Sequence, residues 1–281
     1  MTAKRLGFAY NPTNEAAVEL RERAEGWCRR RSIDHWAAQA GDVDKLVEAL
    51  PTTDILVVLG GDGTFLRAAR ATARVDVPLL GINLGKVGFL SKAEAHEIES
   101  VLTQLVAEEY RIDERMALEA RILPGGRAPD DWEHVALNDV VVARGALARV
   151  CRLDVTIGRS HLATFVADGL VVASPTGSTG YSFSAGGPIV DPLSRNLIVT
   201  PIAGYLSAIR SVVVGPDQTV RTRVLDAHEA LVSIDGREDV PIAVGDSVEV
   251  RAKERPIRLV EPRGSQPFWD LVRHKVELLP S

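Results

Sequence analysis

DILVVLGGDGTFLRAARATA, residues 54–73, contains an apolar run, a glycine-rich turn and a stretch with helical periodicity. The run DILVVL at 54–59 is continuous and bounded by turn residues, which is typical of a strand buried on both faces of a sheet. The residues TFLRAARATA at 64–73 predict a helix directly after the glycines. This strand–turn–helix unit indicates an α/β fold.

The residues around this unit repeat the alternation. Their patterns predict further strands at 5–10 and 78–85, and further helices at 15–30, 42–50 and 96–110. Alternating strands and helices predict a doubly wound, mostly parallel sheet. After about residue 110, short β-branched runs separated by turn residues predict an antiparallel, β-rich domain. We therefore expect an α/β domain at 1–112 with the segment 263–281 packed back on it, and a β-rich domain at 113–262.

The composition excludes several classes of protein. Apolar residues make up 46% and charged residues 25%, and the net charge of −5 leaves no basic surface for nucleic acid or acidic membranes. The two cysteines form no CxxC and the histidines are scattered, so we predict no disulfide scaffold and no histidine-built metal site. No apolar segment approaches the ~18 residues that span a bilayer. We expect a cytoplasmic protein without membrane or nucleic-acid partners.

The turn GGDGT has the features of a phosphate-binding loop, because its glycines and the helix N-terminus can present backbone N–H groups to an anion. Asp62 should repel phosphate, and two roles explain its presence. It could hold a divalent metal that bridges the phosphates, or accept a proton from an attacking hydroxyl. A tight turn whose aspartate caps the helix is the structural alternative. The candidate donor-phosphate residues are Gly60, Gly61, Gly63 and Thr64.

Two further stretches carry polar residues between apolar ones. Residues 173–187 are small or hydroxyl-bearing, with Tyr181 and Phe183 among them, which favours a shaped loop for a polar ligand over a flexible linker. Either ring could stack on a base or nicotinamide or pack in the core, and core packing suits Phe183 better than it suits Tyr181. Asn138 and Asp139 open an apolar strand; they form a turn, or Asp139 accepts hydrogen bonds from ribose hydroxyls.

These three stretches, in this order, resemble the NAD kinase family. That family has GGDGT, an Asn-Glu pair and a TPTGSTAYSLSAGGPI-type loop, and this chain has GGDGT at 60–64, Asn138-Asp139 and SPTGSTGYSFSAGGPIV at 174–190. GINLGKVGFL at 81–90 and FWDLVRHK at 268–275 are also similar to family segments, so the resemblance covers most of the chain. Because diacylglycerol-type lipid kinases share GGDGT, the loop at 174–190 is the discriminating motif.

The resemblance implies phosphoryl transfer from ATP or polyphosphate to the adenosine-ribose 2′-hydroxyl of NAD, giving NADP. It further implies a divalent cation (Mg²⁺), a homodimer or homotetramer, and an α/β domain followed by a sandwich-like β domain. Asp62 would be the proton acceptor, and no protein ligand of the metal is assigned. The residues expected at the NAD are Asp62, Gly63, Arg67, Asn138, Asp139, Arg149, Asp168, Thr179, Gly180, Tyr181, Ser182, Phe183 and Ser184.

Four positions depart from the family pattern. This chain has Asp139 for the commoner Glu, Gly180 for Ala, Tyr205 for His and Arg237 for Gln. Asp139 is one methylene shorter than Glu, which affects its reach to the ligand, and Gly180 loosens the loop. The changes at Tyr205 and Arg237 bear on the substrate preference more than on the reaction. Two alternatives remain at this stage, namely a lipid kinase built on the same GGDGT and a non-catalytic NAD-binding sensor.

Overall fold

The computed structural model describes residues 4–85, 88–126, 132, 134–145, 150–205, 208–236 and 239–277. The chain divides into two compact units, one formed by residues up to Glu114 with those from Ile257 onward, and the other by Arg115–Pro256. No helix in the described ranges is both long and apolar enough to cross a membrane.

The helices are α1 (Glu15–Arg30), α2 (Val43–Ala49), α3 (Asp62–Val75), α4 (Ile98–Val106), α5 (Tyr181–Ser184) and α6 (Phe268–Glu277), and short 3₁₀ segments lie at Leu50–Thr52, Ala95–Glu97, Pro124–Gly126 and Thr176–Thr179. The strands are β1 (Arg5–Tyr10), β2 (Asp34–Gln39), β3 (Ile55–Leu59), β4 (Leu79–Asn83), β5 (Ser91–Glu94), β6 (Tyr110–Arg115), β7 (Leu118–Leu123), β8 (His134–Ala136), β9 (Asp139–Arg144), β10 (Cys151–Ile157), β11 (Ser160–Ala167), β12 (Gly169–Ala173), β13 (Leu197–Ile202), β14 (Val212–Val214), β15 (Val220–Asp226), β16 (Ala230–Ile234), β17 (Val240–Ile242), β18 (Ser247–Ala252) and β19 (Ile257–Pro262).

The first unit is built on a mostly parallel sheet. Its described strands follow the order β2–β1–β3–β4–β19–β6, with β5 paired to β4. β1 runs parallel to β2 and β3, and β4 runs parallel to β3, β5 and β19. Every residue of β3 is buried, as its continuous apolar run predicts. The predicted parallel sheet is therefore confirmed.

Helices cover both faces of this sheet. α1 and α4 share one apolar core with Leu80 and Ile82 of β4. Phe65 of α3 lies against Gly81, the residue between them, and α3 packs on α2. Because successive residues of a strand face opposite sides, α2 and α3 cover the face opposite α1 and α4. The unit is doubly wound, as the alternating pattern predicts.

The last strand brings the chain back to this sheet. The predicted returning segment at 263–281 is preceded by β19, where Leu259 pairs with Leu79 of β4, so the return begins at Ile257 in the structure. Near the end of β19, Glu261 pairs with buried Lys92 and with Arg111. Burial alone would raise the pKa of Glu261, but these cations lower it to about 2. The ion pairs anchor the segment that leads into α6.

The second unit consists of two sheets. The described strands follow the orders β11–β10–β15–β18–β7–β8 and β14–β13–β12–β9–β16–β17, and neighbouring strands are antiparallel. Leu153 and Phe165 of the first sheet share one apolar core with Val142 and Val172 of the second. The predicted sandwich-like β domain is therefore confirmed.

Candidate functional site

The turn between β3 and α3 needs glycine at its first position. Gly60 has a φ of 155°, and a Cβ added there would lie 2.7 Å from Oγ1 of Thr64. Gly61 is the N-cap of α3, and its carbonyl accepts hydrogen bonds from the N–H groups of Thr64 and Phe65. Apart from its chain neighbours and the backbone of its own helix, a Cβ built on Gly61 or Gly63 would meet no described heavy atom within 4 Å. The start of α3 therefore offers open space beside backbone N–H groups, which suits an anion.

Asp62 lies in the first turn of α3, where the helix dipole favours a carboxylate. Its Oδ1 is buried and has no hydrogen-bond partner in the described residues. Gly88 approaches so closely that an added Cβ would lie 2.5 Å from this oxygen. Burial raises the pKa of Asp62, while the charge of Lys275 and the N–H of Leu90 act in the opposite direction. Gly60, Gly61, Asp62, Gly63, Thr64 and Gly88 are called the glycine-loop cluster below.

Arg67 lies one turn after Gly63 on α3, and both residues are exposed. Residues four apart share one face of a helix. The side chain of Arg67 therefore leaves α3 on the same face as the open space at Gly63. Thr64 is buried and packs against Gly60. Thr64 therefore shapes the predicted donor-phosphate loop from inside.

In the second unit, a carboxylate holds the backbone at the predicted Asn-Asp pair. Asp235 Oδ2 accepts from the N–H of Leu137 at 2.9 Å, and its Oδ1 accepts from the N–H groups of Asn138 and Asp139 at 2.8 and 3.2 Å. In return, the N–H of Asp235 donates to the carbonyl of Asp139 at 3.0 Å. The role of Asp235 was not predicted from the sequence, although the Asp-Gly that it forms with Gly236 is a turn signal.

The side chains of this pair are buried and only partly satisfied. Asn138 Oδ1 is buried and has no hydrogen-bond partner within the described ranges. Asp139 is 5% exposed, and burial, followed by the charge of Asp235, raises its pKa to about 7. An amide oxygen and a carboxyl that titrates near neutrality can both accept hydrogen bonds from hydroxyls. Asn138, Asp139 and Asp235 are called the amide–carboxylate cluster below.

The small-residue loop lies directly on this cluster. The N–H of Ser174 donates to the carbonyl of Asn138 at 2.8 Å, and its hydroxyl donates to the carbonyl of Leu137 at 2.5 Å. A Cβ added to Gly177 would lie only 2.0 Å from the carbonyl oxygen of Asn138. At Gly180 an added Cβ would lie 3.8 Å from both Asn138 Nδ2 and Asp139 Oδ2. The structure thus brings Asn138, Asp139 and Gly180 together.

Known proteins share both units. The model of the ATP-NAD kinase N-terminal domain matches residues 2–110, and that of the ATP-NAD kinase C-terminal domain matches residues 137–262. The chain belongs to the ATP-NAD kinase family. An NAD kinase of Heliobacterium modesticaldum is 38% identical, covering 97% of this chain and 98% of its own. An NAD kinase of Dehalococcoides mccartyi is 37% identical, covering 95% and 93%.

Solved structures give the same answer for the fold. An NAD kinase from Archaeoglobus fulgidus, solved in complex with ATP, has a TM-score of 0.80 at 25% identity and covers 98% of this chain and 100% of its own. Yeast NADH kinase, solved in complex with NADH, has a TM-score of 0.82 at 23% identity and covers 99% and 88%. The latter likeness shows the fold alone.

In the loop at 174–190, some side chains are buried and others are exposed. Ser182 is fully buried, with its hydroxyl 3.3 Å from that of Thr200, and Thr179 donates to the carbonyl of Thr176 at 3.3 Å. Tyr181 and Phe183 are 46% and 42% exposed, and Ser184 is exposed as well. The Phe183 ring is therefore not packed in the core of its unit. Both rings are accessible for stacking on a planar ligand.

The structure describes only some of the remaining residues that the family resemblance points to. Asp168 forms a bidentate ion pair with Arg144, at 2.7 and 3.2 Å, so its carboxylate is already occupied. Tyr205 is largely exposed. Arg149 and Arg237 lie outside the described residues. The described ranges contain no group of three or more His, Cys, Asp or Glu side chains suited to a metal ion.

Proposed function

We propose that this protein transfers the γ-phosphoryl group of ATP to the 2′-hydroxyl of the adenosine ribose of NAD, giving NADP and ADP. The observation that carries the proposal is Asp62 in a member of the ATP-NAD kinase family. Its carboxylate lies at the N-terminus of α3 with one oxygen that no described residue engages. A carboxylate in that position can receive the proton of an attacking hydroxyl.

In this reaction Asp62 would act as the general base. The ribose 2′-oxygen forms a bond to the γ-phosphorus while the bond from that phosphorus to the β–γ bridging oxygen breaks. The hydroxyl proton passes to Asp62, and ADP leaves. Because the phosphoryl transition state is loose, the contribution of the protein is mainly positioning and charge neutralisation. The backbone N–H groups at the start of α3 would bind donor phosphates.

The amide–carboxylate cluster would bind the NAD. Asn138 Oδ1 and the Asp139 carboxyl are acceptors for ribose hydroxyls, and Tyr181 and Phe183 present exposed rings for a base or nicotinamide. Gly63, Arg67, Arg149 and the loop at 179–184 complete the proposed set. Asp168 would contribute through Arg144, which it orients. Asp139 is one methylene shorter than the commoner Glu, which shortens its reach to the ligand.

A divalent cation, Mg²⁺ above all, is part of the proposal. Mg²⁺ keeps several waters and binds through one or two carboxylates plus substrate phosphates, so it does not need a cage of protein ligands. The described ranges contain no cluster of three or more metal-ligating side chains, which fits an ion that would be held by the donor phosphates and water. When bound, the cation would neutralise charge on the donor phosphates. We further propose that the protein is a homodimer or homotetramer in the cytoplasm, where its two free cysteines would remain reduced.

A product assay tests this function against its rivals. Purified protein is incubated with Mg²⁺ and either ATP or polyphosphate, and with NAD, NADH or a diacylglycerol as acceptor. NADP or NADPH is then measured with an NADP-specific dehydrogenase, and phosphatidate by mass spectrometry. We expect NADP with ATP as donor. Phosphatidate formation would favour the lipid kinase, and NAD binding without any product would favour the sensor; either result would overturn the proposal.

A further inference from the structure

Helix α6 carries a lysine that is held in place by aromatic rings. Nζ of Lys275 lies 5.0 Å from the ring centroid of Phe89, a distance typical of a cation–π interaction. The Phe89 ring also packs against that of Phe268, the first residue of α6, with centroids 5.9 Å apart. Lys275 itself is partly buried. These contacts restrict where its ammonium group can lie.

The residues on either side of Phe89 lie close to Asp62. Gly88, immediately before Phe89, approaches the Asp62 carboxylate closely enough that an added Cβ would lie 2.5 Å from Oδ1. The N–H of Leu90, immediately after Phe89, lowers the pKa of the same carboxylate. Phe89 therefore lies between two residues that act on Asp62, and its ring carries Lys275. Helix α6, far away in the sequence, thus places a cation on the segment that lies against this carboxylate.

The electrostatics agree with this geometry. Burial raises the pKa of Asp62 and would keep the carboxyl protonated, whereas the positive charge of Lys275 lowers the pKa. Within the described ranges, Lys275 is the charged group that acts on this carboxylate. Arg67 and Arg70 follow on the same helix, and Arg273 and His274 neighbour Lys275 on α6. The N-terminus of α3 adds a partial positive charge.

We propose that Lys275 is a positioning residue for phosphoryl transfer: its ammonium group offsets the negative charge of Asp62 where donor phosphates approach. A bare carboxylate would repel the donor, and a protonated carboxyl could not accept the hydroxyl proton. A cation held on the ring of Phe89, next to the residue that lies against Asp62, reduces both difficulties. The inference rests on the proposed function, since it assigns Lys275 a part in that reaction.

The test compares Lys275→Met with Lys275→Arg and with Arg273→Met as the matched control. Arg273 lies on the same helix, is exposed, and is 3.8 Å from Asp270, so its replacement removes the same charge without the contact to Phe89. Losing the cation raises the pKa of Asp62. We therefore expect the acid limb of the kcat–pH profile of Lys275→Met to move to higher pH, with kcat about 10-fold lower below that limb. The deficit should shrink as the pH rises, and the KM for NAD should stay unchanged. Lys275→Arg and Arg273→Met should follow the wild type.

A second variant covers the case in which Lys275→Met does not fold. Phe89→Leu keeps the lysine but removes the ring that holds it, and we expect a smaller displacement of the same limb. The proposal is overturned if the deficit is equal at every pH, if Lys275→Arg is impaired like Lys275→Met, or if Phe89→Leu leaves the limb unmoved. A wild-type protein that forms no NADP overturns the proposed function instead, so the two failures are distinguishable.

Discussion

Asp62 and Asp139 are carboxylates of two different units, and burial raises the pKa of both. Their neighbours differ in sign. Lys275 and the N–H of Leu90 oppose the effect of burial at Asp62, whereas the charge of Asp235 adds to it at Asp139, whose pKa reaches about 7. Residue type alone therefore does not decide the role of a buried carboxylate. A neighbouring cation favours an ionised proton acceptor, and a neighbouring anion favours a carboxyl that titrates near neutrality.

The glycines of the two clusters differ in a parallel way. Gly88 faces the end of the Asp62 side chain, which can rotate. Gly177 faces the backbone carbonyl of Asn138, which lies just before β9 and accepts a hydrogen bond from the N–H of Ser174. A methyl group at Gly88 should therefore disturb chemistry more than stability. A methyl group at Gly177 should disturb stability first.

Asp62→Asn should produce the largest effect of any single change. The amide keeps the shape of the side chain but cannot accept the hydroxyl proton, so we expect kcat to fall by about 10³-fold. The measurement is NADP formation at saturating ATP and NAD, with circular dichroism to confirm the fold. Asp44→Asn on α2, where the carboxylate is fully exposed, is the control and should leave kcat unchanged. Retention of most of the turnover by Asp62→Asn would remove the proposed base.

Gly177→Ala should cause the next largest effect, now on stability. A Cβ 2.0 Å from a backbone oxygen forces the loop or the strand to move, which should cost about 3 kcal/mol in the free energy of unfolding. Urea denaturation followed by fluorescence measures this change. Gly180→Ala in the same loop is the matched control, because its Cβ would lie 3.3 Å from the nearest atom, the carbonyl oxygen of Gly177. Equal losses for the two variants would show that the contact with Asn138 is not the cause.

Local signals in the sequence predict much of the fold. The bounds of β1 and α1 agree with the sequence patterns, and Asn14 caps α1 by accepting from the N–H of Ala17 at 3.2 Å. β2 was missed because its residues, DHWAAQ, form an edge strand whose burial does not alternate. α3 begins at Asp62, two residues before the predicted start, because Gly61 serves as its N-cap.

The candidate site was predicted only where its residues form contiguous motifs. Asp62, Asn138, Asp139 and the loop at 174–190 are readable because each stands in a recognisable local pattern. Asp235 acts on Asn138 across 97 residues of sequence, and Lys275 reaches the neighbourhood of Asp62 from the last helix. Contacts of this kind depend on strand pairing and helix packing, which no local pattern encodes. The missed residues are therefore the ones that set the electrostatics of the predicted ones.

Gly88→Ala should show how far kcat depends on the position of the Asp62 carboxylate, because its charge is left unchanged. The added methyl group displaces the carboxylate without altering its chemistry, and a displacement of about 1 Å can cost roughly 100-fold in rate. We expect kcat to fall by about 10- to 100-fold while the urea midpoint changes little, since a mobile side chain can yield. Gly41→Ala, where no described atom lies within 4 Å of the new Cβ, is the control. A large loss of stability with normal kcat in Gly88→Ala would contradict this view of the glycine-loop cluster.

Asp139→Asn should give the smallest effect, visible as a change in the pH dependence of stability. The folded pKa of Asp139, about 7, lies above the ordinary value of 3.8, so the folded state binds the proton more tightly than the unfolded state. The stability from Asp139 is therefore fully present below about pH 4 and is lost as the pH rises toward 7. Asparagine cannot ionise, so Asp139→Asn should lose less stability than the wild type between about pH 5 and about pH 8. The difference should be on the order of 1–2 kcal/mol.

Urea unfolding of both proteins at these two pH values measures the difference, and Asp217→Asn, which alters an exposed carboxyl of the same unit, should keep the wild-type slope. Identical slopes for Asp139→Asn and wild type would mean that the pKa of Asp139 is not raised in solution. The contrast with Asp62 would then fail, because Asp139 would be ionised at neutral pH like an ordinary carboxylate. A flatter slope for Asp139→Asn would instead show that the pKa of Asp139 is raised in the folded protein, as its burial and the neighbouring charge of Asp235 predict.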